Sequence, residues 1–199
     1  MLVGGASTGE FDRFTGGGGT DYVAGGAGTT VLVGGAFTGE FDQFTGSNGT
    51  DYVNGGAGVS VLNEGSGTDV FHGGTGTAYI NGGTGSSAIY GGSGSDFVYT
   101  GAANQFVSAG TGTTVFEDVA AHLTNGRYDQ IDNFQTATPA STGTFVYLPQ
   151  GEANSTNFYD TNGGTLIDTL ATDGSQGHAA VFVSGVSAAT VKEQTFFNL

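Results

Sequence analysis

GSNGTDYVN (46–54), EGSGTDVFH (64–72), GGTGTAYIN (73–81), GGSGSDFVY (91–99) and AGTGTTVFE (109–117) are members of one degenerate nonapeptide series, and their period decides the fold. Self-similarity at a fixed spacing outranks local propensity. Numbered one to nine, every unit carries an apolar residue at position eight: Phe14, Val23, Leu32, Phe44, Val53, Leu62, Phe71, Ile80, Ile89, Val98, Val107 and Phe116. A side chain that recurs once per short strand, between turns that glycine permits, is the inward residue of a solenoid coil. Position four is Gly in every plain nonapeptide except the one holding Ala103.

Towards the N-terminus the series carries a second, longer repeat. Residues 4–33 and 34–63 match almost position for position, so a 30-residue segment has been duplicated. Each copy is a 12-residue unit followed by two nonapeptides, and the 12-residue units read as nonapeptides with three extra residues in the turn. Met1-Leu2-Val3 aligns with Val31-Leu32-Val33, the strand end of a unit, which predicts that further N-terminal sequence precedes this segment in the full protein.

Composition agrees with a periodic β structure. Of 199 residues 40 are Gly and 2 are Pro, with 37% hydrophobic and 11% charged, too apolar for disorder and too glycine-rich for an ordinary globular domain. Three Lys plus Arg against 18 Asp plus Glu give a formal charge of −15. That charge disfavours nucleic acid and anionic lipid and favours cations. With no Cys there are no disulfides or thiolate metal sites, so a hard cation such as calcium is the metal the chain is suited to hold. No stretch approaches the roughly 20 apolar residues of a membrane span, and no cleavable leader is recognisable.

The units from Gly4 to Glu117 approximate GGxGxDxUx, and in this they resemble the calcium-binding RTX (repeats-in-toxin) family. The resemblance implies an all-β fold: a right-handed parallel β-roll solenoid over residues 1–117, two nonapeptides per coil, with calcium held in the turns between successive coils. Residues 118–199 are then a small β-rich C-terminal capping subdomain. In the family the position-six Asp joins turn carbonyls around the ion, and two such Asp one coil apart face each other. Here position six is Asp12, Asp21, Thr30, Asp42, Asp51, Ser60, Asp69, Ala78, Ser87, Asp96, Gln105 and Thr114.

Sorted by edge of the coil, these positions leave two acidic pairs as candidate Ca2+ ligands, Asp51 with Asp69 and Asp21 with Asp42. Carbonyls around Gly46–Gly49 and Gly65–Gly67 would supply most of the first shell, since calcium takes six to eight oxygens. Asp96 has no acidic partner at Ala78 or Thr114. The competing reading is that each Asp caps its own turn through an Asx-type bond with no metal.

Positions seven and nine should face outward, and one sheet then shows Tyr22, Val61, Tyr79, Phe97, Tyr99 and Val115 in successive coils. Such a stripe predicts either cover by the chain's own C-terminal segment or lateral assembly into a homo-oligomer or fibre through Tyr79, Phe97 and Tyr99. Hydroxyls at Thr75/Thr77, Ser93/Ser95 and Thr111/Thr113 should lie in register along one edge, which raises ice binding as a remote third function.

From Asp118 the period stops, and a polar linker runs from Gln135 to Gly143. Tyr128–Phe134 followed by Thr144–Leu148 is similar to the segment that closes many rolls of the family. Phe158–Asp160, Thr165–Leu170 and Ala179–Val183 read as antiparallel strands, the last two joined by a turn at Asp173-Gly174. The end, from Val183 to Leu199, is similar to the C-terminal region of proteins exported by type I secretion, which implies an extracellular, secreted protein. His72, His122 and His178 are isolated and no nucleophile motif is present, so no enzymatic activity is expected. The sequence therefore predicts a secreted calcium-binding scaffold whose ions couple to folding, with a calcium-independent self-assembling matrix protein as the alternative.

Overall fold

The computed structural model describes residues 1–117, 127–137, 142–148, 156–170 and 178–197. His122, the predicted turn at Asp173-Gly174, the breakpoint after Asp118, linker residues 138–141 and the final Asn198-Leu199 lie outside these described residues.

The repeats form thirteen short strands: β1 (Leu2–Val3), β2 (Phe11–Thr15), β3 (Thr20–Ala24), β4 (Thr29–Val33), β5 (Phe41–Thr45), β6 (Thr50–Asn54), β7 (Val59–Asn63), β8 (Thr68–His72), β9 (Thr77–Asn81), β10 (Ser86–Tyr90), β11 (Ser95–Tyr99), β12 (Gln105–Ser108) and β13 (Thr113–Glu117). Odd and even strands separate into two parallel sheets, so the chain winds as a β-solenoid with one strand of each sheet per coil. Strand alternation turns positions six and eight inward, as the pattern along β8 shows with Asp69 and Phe71 buried and Thr68 and His72 exposed.

Position eight builds the core. In one sheet Phe14, Leu32, Val53, Phe71, Ile89 and Val107 are successive partners; in the other Val23, Phe44, Leu62, Ile80, Val98 and Phe116 are. All but Phe14 are buried, and the two columns meet in the interior, where Phe44 and Phe71 pack edge to face at 6.5 Å. Each fully buried side chain of this size contributes about 1.5–3 kcal/mol.

Glycine lets the turns stack. A Cβ at Gly67 would lie 1.7 Å from the Gly49 carbonyl oxygen of the preceding coil. Gly74 adopts φ 83°, a conformation that favours glycine.

The nine-residue period ends at Glu117, but the two sheets continue past it. β14 (Arg127–Asp132) adds in parallel to β12 and β15 (Thr144–Leu148) to β13, placing Ile131 beside Val107 and Val146 beside Phe116. β18 (His178–Ser184) lies parallel to β14, and β19 (Thr195–Phe197) parallel to β15. The predicted antiparallel strands occur as β16 (Thr156–Thr161), β17 (Gly164–Leu170) and β18, which end one sheet. A short helix α1 (Ala188–Glu193), capped by Ser187, buries Val191 and packs against β16 and β17. Gln194 then clamps the end: its side chain donates to the carbonyls of Gln135 (3.1 Å) and Thr144 (2.5 Å) and accepts from the Ala137 N–H (2.8 Å).

The outer stripe is present, and among the described residues the C-terminal segment extends it instead of covering it. Tyr79 and Phe97 stack at 5.1 Å, Val115 is beside Phe145, and Tyr147 stacks on Phe196 at 5.3 Å, while Tyr79 stays 37% exposed. Among the described residues the late strands do not supply the expected self-cover, because they join the sheets edge to edge. Thr77, Ser95 and Thr113 are register partners, as the spacing predicts.

Candidate metal sites

Position six opens a strand directly after a turn, so its side chains line up along the two edges of the roll. One edge carries Asp12, Thr30, Asp51, Asp69, Ser87, Gln105 and then Asp129 as neighbours from coil to coil. The other carries Asp21, Asp42, Ser60, Ala78, Asp96, Thr114 and Thr144. Both predicted pairs are therefore brought together.

Asp51 is the most constrained of these carboxylates. It is 0% exposed, and neither of its oxygens has a hydrogen-bond partner. Glycine makes its niche: a Cβ at Gly25 would stand 3.0 Å from both oxygens, and one at Gly46 3.1 Å from Oδ2. Burial raises its pKa, opposed by the Thr30 hydroxyl and the Ser47 N–H, which lie near it without an aligned hydrogen bond. The Asp51 N–H donates to Asp69 Oδ1 at 3.1 Å. Burial, then the charge of Asp51, push the Asp69 carboxyl up to about 6. Two stacked, buried carboxylates without a counter-charge are costly unless a cation or protons join them.

The second pair differs in exposure. Asp21 is half-buried and accepts from the Gly17 N–H at 2.9 Å. Asp42 is buried, accepts from the Gly35 N–H at 3.3 Å through Oδ2, and leaves Oδ1 without a partner. Burial, with the charges of Glu40 and Asp21, raises its pKa.

Turn carbonyls line the Asp51/Asp69 edge. Gly28 O accepts from Thr50 N–H, Ser47 O from Ser66 N–H and Gly49 O from Thr68 N–H, at 3.0, 2.8 and 3.3 Å. Each carbonyl keeps a second lone pair for a cation. Among the described residues no three carboxylate or imidazole side chains form a metal-holding group, so a bound ion would draw mainly on these carbonyls. A buried carboxylate pair in which both Asp51 oxygens lack a hydrogen-bond partner, on an edge lined by turn carbonyls, suits the all-oxygen preference of calcium.

Three acidic residues, Asp129, Glu64 and Glu40, escaped the repeat alignment. Asp129 is buried and accepts from Gln105 N–H at 2.7 Å, the same relation that Asp69 has to Asp51. Its signal was the YDQID run (128–132), which sets Asp and Ile at the spacing of positions six and eight. Glu64, at position one where most units have Gly, is buried; its Oε2 accepts from Gly83 N–H (3.0 Å) and the Gln105 amide (3.4 Å). Burial pushes its carboxyl up to about 7. Hydrogen bonds thus fill the edge where position six has become Ser87 and Gln105. Asp96 is buried with Oδ1 unpartnered, and burial pushes it up to about 6 although no acid adjoins it in either neighbouring coil. Glu40, inside the 12-residue unit, is buried as well.

His72 is a surface residue stacked on Tyr90 at 4.9 Å. Among the described residues no helix is long and apolar enough to cross a membrane. The family model described as the RTX calcium-binding nonapeptide repeat matches the chain four times, over residues 7–36, 38–62, 45–80 and 72–107, together half of the sequence. No curated protein matches it.

Proposed function

The chain belongs to the RTX calcium-binding nonapeptide repeat family, and from that premise we propose that it is the calcium-stabilised scaffold module of a secreted protein. Asp51 with Asp69 would hold one ion and Asp21 with Asp42 another, each together with turn carbonyls. The calcium supplies the positive charge that these edges lack. Binding is coupled to folding, because the carboxylates face each other only once two coils have stacked. In a reduced, calcium-poor interior the edges would repel; outside the cell, at millimolar calcium, they would close.

The observation that carries this reading is Asp51: a fully buried carboxylate, both oxygens without a hydrogen-bond partner, stacked against a second acid. Equilibrium dialysis of chelated protein against calcium tests it. The wild type should take up calcium, and D51N/D69N and D21N/D42N should each lose part of that uptake. Unchanged uptake in both variants would remove these residues from the sites.

A second reading, self-assembly into an extracellular fibre, is favoured by the aromatic column Tyr79–Phe97, continued near its end by Tyr147–Phe196. Sedimentation separates the two: a calcium-dependent monomer supports the scaffold, and calcium-independent large species support assembly.

A further inference from the structure

The 12-residue units differ from plain nonapeptides in one chemical respect. The residue whose carbonyl takes the position-four role is a glutamate, not a glycine: Glu10 O accepts from Thr29 N–H and Glu40 O from Val59 N–H, as Gly28 O does from Thr50 N–H. A glycine there offers only its carbonyl. A glutamate adds a carboxylate to the same turn.

The two copies are not equivalent. Glu10 is exposed and accepts from Ser7 N–H at 2.9 Å. Glu40 is covered by the next coil and 3% exposed; its Oε1 accepts from Phe37 N–H at 3.2 Å, while Oε2 is buried without a partner. Its carboxylate lies over Gly35: a Cβ there would stand 2.3 and 2.4 Å from the two Glu40 oxygens and 2.3 Å from the Gly17 carbonyl oxygen. Asp42 adjoins the same glycine: its Oδ2 accepts the Gly35 N–H, and its Oδ1 is also buried and unpartnered. No Lys or Arg occurs between Arg13 and Arg127, so the sequence around these acids supplies no fixed counter-charge.

We infer that Glu40 is a calcium ligand, completing with Asp42 and the Gly17 carbonyl a site on the Asp21/Asp42 edge that the plain repeats cannot form. This rests on the reading that the Asp21/Asp42 edge binds calcium. The insertion is then a device that adds a carboxylate to a turn. A turn-capping role alone accounts for Oε1; it leaves Oε2 buried as an unpaired charge, which is the costlier arrangement.

The test is equilibrium dialysis of the full chain against calcium, with thermal unfolding of each variant in chelator and in calcium. E40Q keeps the shape and an acceptor for Phe37 N–H, and it should bind one calcium fewer than wild type, as should D42N, whereas E10Q should match wild type. In chelator E40Q should melt no lower than wild type; in calcium it should melt lower. If D42N loses an ion and E40Q does not, the inference about Glu40 is wrong and the calcium reading stands. If wild type binds no calcium, or D42N binds as many ions as wild type, the calcium reading of this edge fails and the Glu40 inference with it.

Discussion

The backbone N–H of Asp51 donates to the side chain of Asp69, 3.1 Å away and one coil further along the roll. One hydrogen bond thus ties the stacking of strands to the stacking of charges. When the coils pair, the two carboxylates are forced together, and the charge that would relieve them has to come from solution.

Neutralising that pair should separate folding from metal. In chelator, D51N should be more stable than wild type by about 1–3 kcal/mol, the range for relieving a buried polar group left unsatisfied. In calcium the order should reverse. Paired urea melts of both proteins with and without calcium check the crossing.

The ion-free protein should prefer mild acid. Glu64 is pushed up to about 7, and Asp69 and Asp96 to about 6, each mainly by burial, from ordinary values of 4.5 and 3.8. The folded chain therefore holds more protons than the unfolded chain between about pH 4 and 7, and stability falls as pH rises through that window. Melting temperatures in chelator should be higher at pH 5 than at pH 8, and saturating calcium should flatten the slope. A rise with pH in chelator would contradict the charge account.

Turn glycines should divide sharply by contact. Gly67→Ala puts a Cβ 1.7 Å from the Gly49 carbonyl and should cost about 3 kcal/mol or more, whereas Gly9→Ala meets nothing within 4 Å and should change stability by less than about 0.5 kcal/mol. Chemical denaturation of the two variants gives the comparison.

The two faces of a strand should respond differently. Phe71→Ala empties a fully buried place beside Phe44 and should cost about 3–5 kcal/mol. Replacing Tyr79 and Phe97 by Ser should leave most of the stability, and it should abolish large species if the outer column drives assembly; analytical ultracentrifugation reads the second effect.

The roll was legible because position eight repeats without exception, and the strand columns and both aspartate pairs follow from that count together with the two nonapeptides per coil that the family resemblance implies. The later coils were not, because after Glu117 a column no longer advances by two nonapeptides per coil: Phe116 is followed by Val146, and Val107 by Ile131. Pairing within each sheet survives such insertions, since only strand register has to be kept. Glu40 and Glu64 were hidden for another reason. Each occupies a place where a repeat consensus expects glycine, and only the stacking of turns reveals that their carboxylates are buried.

The most direct test of the central claim is the far-ultraviolet circular dichroism of the purified, exhaustively chelated protein titrated with calcium, D51N/D69N alongside. The account predicts that calcium increases the β signal or its melting temperature at neutral pH, and that the double variant loses much of this response. Wild-type signal and melting temperature indifferent to calcium would contradict it.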